Sequence, residues 1–407
     1  MKKYYLIGEK LSHSYSKDIH SRFGLDYELK EILPSDVGDF LKKKEFRGLN
    51  VTLPYKEAVT PYLDETDEIA GRIGAVNTVA NENGRLKGYN TDYFGLKYAL
   101  SSAGIELNGR RVAVLGSGGA SKTAQKLAED LGAAEITVVS RSGEINYENV
   151  YEKTDPQIII NATPVGMFPN ENECPIELKK FKNLAGVFDC IYNPHRTRLV
   201  LNAERLGIKA IGGLKMLAAQ GVYSEFLWGE TEFTEENIQA AYKNLFEKEV
   251  NITLIGMPGA GKTCLGKIVA EKLNRPFYDT DELCERLSGI TPEKTIEKFG
   301  EKRFREIENI AVEKISRVRG VVIATGGGTI LNEENVLKLR SSGVVVYIER
   351  ELGKLSVKQR PLSKSMPISR LFEQRKGHYL ASCDIKIKND GEKDEAAEKI
   401  IGSVFSL

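Results

Sequence analysis

Short apolar runs rich in valine and isoleucine recur along the chain, at YYLIG, RVAVLG, ITVVS, IIINAT, GVFDCIY, NITLIG, VVIATGGG and GVVVYIE. Most are separated by amphipathic stretches of helical length. A segment that is apolar at nearly every position suits a strand covered on both faces, so the pattern predicts parallel sheets layered with helices, an α/β architecture. The stretch TEFTEENIQAAYKNLFEKE at 231–249 predicts a polar amphipathic helix opened by a turn from Thr234 to Asn237. A fresh strand follows at Asn251–Ile255, which puts the main boundary near Glu249. Earlier, the Asn108-Gly109 turn signal precedes the strand at 111–116 and marks a second division. The expected organisation is a lobe over 1–92 completed by a helix at about 225–247, a second domain over 93–224 and a third over 250–407. Three domains agree with 407 residues at ~100–200 residues per domain.

Composition adds mainly exclusions. Hydrophobic content of 41% with 28% charged residues is that of a soluble globular protein, and 58 basic against 57 acidic residues give no electrostatic footprint for nucleic acid or an anionic membrane. The apolar run near the N-terminus is too short for a signal segment, and no stretch reaches membrane-spanning length, so a cytoplasmic enzyme is expected. Cys174, Cys190, Cys264, Cys284 and Cys383 are scattered and form no C-x-x-C pair. They are expected to be reduced thiols that mostly fill cores, with neither a disulfide framework nor a structural zinc.

Two glycine-rich loops, each directly after an apolar run, predict two nucleotide sites. GMPGAGKT at 256–263 fits G-x-x-x-x-G-K-[ST] throughout, with Gly256, Gly261, Lys262 and Thr263. That pattern places backbone N–H groups, a cation and a metal-binding hydroxyl around a triphosphate. VLGSGGASK at 114–122 sits between a strand and a helical stretch, the setting for a pyrophosphate at a helix N-terminus, although Ser121 replaces the third glycine of G-x-G-x-x-G. An acid for an NAD ribose belongs about 20 residues beyond the first glycine. Positions 140–142 read Ser-Arg-Ser instead, and Arg141 offers a guanidinium to a 2′-phosphate, which points to NADP.

The candidate chemistry lies around these loops. HSYS at 13–16 clusters hydroxyls, NVTLPYKE at 50–57 supplies Thr52 and Lys56, and GAVNTV and YNTD bring Asn77, Thr91 and Asp92. Ketone reduction needs a proton donor beside the carbonyl oxygen, and a lysine held by a carboxylate can be one. In the third domain, phosphoryl transfer requires positioned charge. Asp279 and Asp281 of YDTD would share one side of an extended segment, one serving magnesium and the other an acceptor hydroxyl, while Asp281 could also cap the helix ELCERL. FGEKRFREIE adds Arg305 and Glu308, KQRPLS adds Arg360 and LFEQRKGHY adds Arg375. Arginines suit a planar carboxylate or a transferred phosphate. Gly326 to Gly328 would let backbone approach a ligand. Singly, each lysine or arginine reads as a solvated surface group. Their ordered recurrence carries the weight.

The set HSYS, NVTLPYKE, GAVNT, GYNTD, GSGGASK, NATPVGM, YNPHRTRL and GGLKMLAAQ resembles the shikimate dehydrogenase family over nearly all of residues 1–247. The resemblance implies a substrate-binding lobe and a Rossmann-type dinucleotide domain, with Lys56 and Asp92 as the catalytic pair. Ser14, Ser16, Thr52, Asn77, Asp92, Tyr192 and Gln220 would hold the substrate. Gly116, Ser117, Gly118, Gly119, Ala120 and Arg141 would bind NADP(H), with Cys190, Gly213 and Met216 lining the nicotinamide. Ser140-Arg141-Ser142 departs from the family's usual Asn-Arg-Thr.

From about Asn251 to Ile387 the second loop and the motifs after it are similar to shikimate kinase. That similarity implies a P-loop kinase domain with a parallel sheet. Gly259, Ala260, Gly261, Lys262, Thr263 and Cys264 would bind ATP, and Thr263 and Asp279 would serve Mg2+. Asp281 would be the base and, with Arg305, Gly327 and Arg375, would hold shikimate. Arg360 would close over ATP from a lid at about 351–364. The two resemblances together imply NADPH-dependent reduction of 3-dehydroshikimate to shikimate and then ATP-dependent formation of shikimate 3-phosphate. The expected partners are these small molecules, with no nucleic acid and no membrane, on a monomer or homodimer. The alternative is a quinate or aminoshikimate dehydrogenase joined to another small-molecule kinase, such as a gluconate kinase. Arg305 with Arg375 disfavours a neutral sugar. A tether alone does not retain an intermediate, so the halves are expected to exchange it freely with solvent.

Overall fold

The computed structural model describes residues 3–11, 14–355 and 367–406. Arg360 and most of the expected lid at 351–364 lie outside the described residues, as does His13 of HSYS. The chain divides into two compact units, Met1–Leu245 and Phe246–Leu407.

The first unit contains two sheets. One is built from β1 (Lys3–Gly8), β2 (Tyr27–Glu31), β3 (Phe46–Val51), β4 (Glu65–Thr66), β5 (Thr78–Glu82) and β6 (Arg85–Tyr89), in the order β2-β1-β3-β5-β6-β4. It is mixed and departs from the parallel sheet expected, because β5 runs antiparallel to both β3 and β6. The cause is local: Asn83 and Gly84 both take positive φ, 55° and 92°, which closes a tight hairpin whose twist matches its strands. The other sheet is wholly parallel, with β7 (Arg111–Leu115), β8 (Glu135–Val139), β9 (Ile158–Asn161), β10 (Gly186–Asp189) and β11 (Lys209–Ile211) in the order β11-β10-β9-β7-β8. Its strands β9 and β10 are buried at every residue, as their continuous apolar runs require.

Two helices of this unit, Thr91–Ser102 and Leu214–Leu227, pack closely enough that a side-chain carbon on Gly95 would lie 2.5 Å from the Met216 carbonyl oxygen. Only glycine admits that approach, and it brings Asp92 and Gln220 toward a common space. The helix expected at about 225–247 is in fact two helices, Leu214–Leu227 and Glu235–Glu249. Gly229 at φ 75° follows the end of the first, and the Thr234 hydroxyl accepts the Asn237 N–H at 3.2 Å to open the second.

The second unit is built on one parallel sheet of β12 (Asn251–Ile255), β13 (Phe277–Asp279), β14 (Val322–Ala324), β15 (Gly343–Glu349) and β16 (Ile385–Lys388), ordered β13-β14-β12-β15-β16. Its central strand β12 is buried at all five residues and delivers the chain directly into the phosphate-loop motif. Among the described residues no helix is long and apolar enough to cross a membrane. The five cysteines are free thiols; Cys284 is buried in a core, Cys190 and Cys174 are partly buried and pack against cores of the first unit, and Cys264 is exposed, so the core-filling role expected of most of them fits these three and not Cys264.

Candidate active sites

In the first unit, Lys56 lies in the turn after β3 and Asp92 in the first turn of the helix Thr91–Ser102. The Lys56 Nζ donates to Asp92 Oδ2 at 2.5 Å, with both side chains largely shielded. Two backbone bonds hold the lysine turn: Thr52 N–H donates to the Ile7 carbonyl at 3.0 Å, and Val76 N–H donates to the Lys56 carbonyl at 2.7 Å. Asn77 accepts the Thr91 N–H at 2.7 Å and donates Nδ2 to the Thr91 hydroxyl at 2.9 Å, and that hydroxyl reaches Gln220 Oε1 at 3.3 Å. Asn77, Asp92 and Gln220 thus meet through Thr91, with Lys56 beside them. Ser14 donates to Ser16 at 3.1 Å, and the Tyr192 ring lies 5.1 Å from Tyr15. Burial pushes the Tyr192 phenol up to about 12, so it stays a neutral donor.

The dinucleotide loop adjoins this pair. A side-chain carbon at Gly119 would lie 3.7 Å from Lys56 Cδ, in ordinary contact. Gly118 opens the helix Gly119–Asp130 with no side-chain cap, in the manner of an anion-binding N-terminus. Ser121, in place of the third glycine, is fully buried and donates its hydroxyl to the Gly116 carbonyl at 2.7 Å, so the substitution tightens the loop. Burial raises the Cys190 thiol, and the charges of Asp189 and Asp92 raise it further, which places Cys190 near the Lys56–Asp92 pair. Gly213 N–H donates to the Ile191 carbonyl at 2.9 Å and Met216 is buried one turn on, so these two also border that segment. Arg141 is exposed just beyond β8, and its charge reaches the Tyr147 phenol. Sequence inspection missed Asp189, whose carboxylate accepts from Asn161 at 3.0 Å, Ile191 N–H at 3.0 Å and Thr197 at 2.6 Å. It ties down the segment that carries Cys190 and Tyr192. Burial lifts its carboxyl to about 7.

A second buried group was also missed. His20 Nδ1 is 2.7 Å from Glu225 Oε1, and both residues are essentially inaccessible. Burial pulls the His20 ring down to about 3 and pushes the Glu225 carboxyl up to about 9, so both are uncharged at neutral pH. Above the unfolded glutamate value of 4.5, the unfolded chain has released a proton that the folded chain keeps until about 9, so this group's stabilising effect is lost as pH rises. The histidine acts oppositely, adding stability as pH rises from about 3 to 6.5, and it is finished by pH 7. From pH 7 to about 9 the unfolding free energy of this unit is therefore expected to fall by at most about 1.4 kcal/mol per pH unit, and its melting temperature with it. Thermal melts of Glu225→Gln should lose most of that slope, and a flat parent profile would refute the assignment.

In the second unit, Lys262 Nζ donates to the carbonyls of Gly256 at 2.8 Å and Met257 at 3.0 Å, folded back on its own loop. The Thr263 hydroxyl donates to Asp279 Oδ2 at 2.8 Å, which pairs the two residues expected at magnesium. YDTD is not extended through both acids: the helix Thr280–Ser288 begins between them, and its cap is Asp279, which accepts Asp281 N–H at 2.9 Å. The cap considered for Asp281 therefore belongs to Asp279, because the strand ends there.

Gly326, Gly327 and Gly328 form the meeting point of the remaining groups. Side-chain carbons on them would lie 2.8 Å from Asp281 Oδ1, 2.8 Å from Pro258 Cδ and 2.5 Å from Arg305 Nη2, respectively. The Gly327 carbonyl accepts from Arg375 at 3.0 Å and from the Tyr379 hydroxyl at 2.6 Å. Arg305 is gripped by Glu308 at 2.7 Å and Glu301 at 2.9 Å. Asp281, Arg305, Gly327 and Arg375 are thus gathered at one end of the sheet, with the phosphate loop alongside through Pro258. Arg350 and Asn389, not foreseen, hold the phosphate loop from outside through the carbonyls of Gly259 at 3.4 Å and Ala260 at 2.8 Å. Cys264 is exposed one residue beyond Thr263.

Comparison with known proteins agrees with this geometry. A family profile described as shikimate dehydrogenase substrate binding domain matches residues 6–79, and one described as shikimate kinase matches 258–404. The NADP(+)-type shikimate dehydrogenase of Clostridium perfringens is 36% identical over 271 residues, which cover 60% of this chain and 100% of that protein. Among solved structures, shikimate dehydrogenase 1 from Peptoclostridium difficile matches with a TM-score of 0.56 and 36% identity, over 60% of this chain and 98% of that one. A Thermus thermophilus shikimate 5-dehydrogenase, solved with NADP(H) and shikimate, matches with a TM-score of 0.54 and 31% identity, over 60% of this chain and 99% of that one.

Proposed function

The chain is a bifunctional enzyme that belongs to the shikimate dehydrogenase family and carries a shikimate kinase domain over 258–404, and from that premise we propose that it reduces 3-dehydroshikimate to shikimate with NADPH and phosphorylates the shikimate 3-hydroxyl with ATP. The observation that carries the first step is the Lys56–Asp92 bond of 2.5 Å beside the dinucleotide loop. NADPH, when bound, supplies the hydride. The Lys56 ammonium gives its proton to the carbonyl oxygen, and Asp92 holds Lys56 in position. Ser14 and Ser16 take the substrate carboxylate, Thr52, Asn77, Tyr192 and Gln220 its hydroxyls, and Arg141 the 2′-phosphate of the cofactor. In domain terms, 1–92 with the later helices is the substrate lobe, 93–224 the NADP domain and 250–407 the kinase.

For the second step, ATP supplies the phosphoryl group and Mg2+ offsets its charge. The hydroxyl and carboxylate of Thr263 and Asp279 are hard oxygen donors already paired at 2.8 Å, a set suited to that ion. Lys262 leaves its loop carbonyls for the transferred phosphate, Asp281 accepts the proton of the attacking hydroxyl, and Arg305 and Arg375 clasp the ring carboxylate. Incubating the protein with shikimate and ATP should give one phosphorylated product, its phosphorus coupled to the proton on carbon 3 in NMR. Coupling to another ring proton, or faster turnover of quinate or gluconate, would overturn the proposed kinase substrate.

A further inference from the structure

The three glycines beside the phosphate loop do not use their carbonyls alike. The turn closes on itself through two of them: Thr329 N–H donates to the Gly326 carbonyl at 3.3 Å, and Leu331 N–H donates to the Gly328 carbonyl at 3.0 Å. The Gly327 carbonyl is taken instead by side chains of the helix Ile368–Ser382. Arg375 Nη1 donates to it at 3.0 Å and the Tyr379 hydroxyl at 2.6 Å. One helix can deliver both, because residues four apart share a face, and that face, with Leu371 and Ser382, is the buried one. Tyr379 is fully buried, and its ring stacks on Tyr347 of β15, 5.2 Å between centroids and 5° between planes. Packing therefore fixes the place of its hydroxyl, whereas the arginine reaches the same carbonyl through a longer side chain with more rotatable bonds.

A guanidinium hydrogen spent on a neutral carbonyl is one that a carboxylate can claim, since the charged acceptor makes the stronger bond. When Arg375 turns to a carboxylate, the Gly327 carbonyl loses one donor and keeps Tyr379, so the release strands no partly buried acceptor. Without the tyrosine hydroxyl the same release would take away both donors, and Arg375 would be held back on the carbonyl. We propose that Tyr379 is a positioning residue for substrate binding in the kinase unit: its hydroxyl holds the Gly327 carbonyl and thereby frees Arg375 for the substrate carboxylate. This rests on the reading of Arg375 as a carboxylate-binding group.

Tyr379→Phe removes the hydroxyl and keeps a ring to stack on Tyr347. Initial rates of ADP formation are measured, without nicotinamide cofactor, for shikimate and for its uncharged methyl ester. The KM for shikimate should rise about threefold to tenfold, the scale of one hydrogen bond, while kcat and the KM for the ester and for ATP change less than twofold. A rise in KM with kcat intact is the mark of binding lost equally from ground and transition states, as expected for a carboxylate remote from the reacting hydroxyl. A merely loosened fold would move acid, ester and ATP together. An unchanged shikimate KM, or equal rises for acid and ester, would overturn the proposal. Arg375→Ala should depress kcat/KM for the acid well beyond that for the ester. If it does not, the carboxylate reading of Arg375 itself fails; if it does and Tyr379→Phe shows no acid-selective loss, only the role of Tyr379 fails.

Discussion

Lys56→Ala should lower turnover of 3-dehydroshikimate by about 10²–10⁴-fold, the usual range for loss of a positioned acid. Formation of ADP from shikimate and ATP on the same preparation should be unaffected. The size of the effect follows from the surroundings. Lys56 Nζ is bonded to Asp92 at 2.5 Å and shielded from solvent, so water cannot readily take its place at the carbonyl oxygen. Removing the ammonium also leaves the Asp92 carboxylate, 8% exposed, without its cation. Binding of NADPH should survive, since no dinucleotide-loop residue is altered, and cofactor titration by fluorescence can verify that. Near-normal turnover in Lys56→Ala would remove the proposed acid.

The converse variant, Lys262→Ala, should lower ADP formation by at least about 10²–10³-fold, the range seen when one preorganised charge donor is lost. NADPH oxidation should remain at the parent rate. Lys262 is 6% exposed and donates to the loop carbonyls of Gly256 and Met257. Those are neutral acceptors that an incoming phosphate can outcompete, so the residue is poised to transfer. A kinase rate that survives this change would rule out the loop as the phosphate site.

The sequence showed most where chemistry is written in contiguous motifs. Lys56, Asp92, Asn77, Gln220 and the P-loop were all visible because each lies in a contiguous motif, whether in a loop next to a strand or, as with Asp92 and Gln220, on a helix. Strand positions were visible from apolar runs, but strand direction was not. Asn83-Gly84, between β5 and β6, is a strong hairpin signal and would have exposed the antiparallel pair. YDTD was ambiguous because a strand end and a helix cap use the same residue type, and only the observed start of the helix at Thr280 resolves it. The His20–Glu225 contact spans 205 positions in sequence, and each residue alone reads as solvated, so no local pattern could announce it. Asp189 and Asn161 were hidden similarly, as polar groups at the ends of buried strands whose partners are brought together only by the fold.

The central claim is that one chain performs two consecutive steps on one metabolite, and it is tested most directly by supplying only the first substrate. A single preparation given 3-dehydroshikimate, ATP and Mg2+ should release no ADP above background. Addition of NADPH should start its oxidation at once, and ADP release should follow after a lag as shikimate accumulates. ADP release without NADPH, or complete oxidation of NADPH with no ADP formed, would contradict the account.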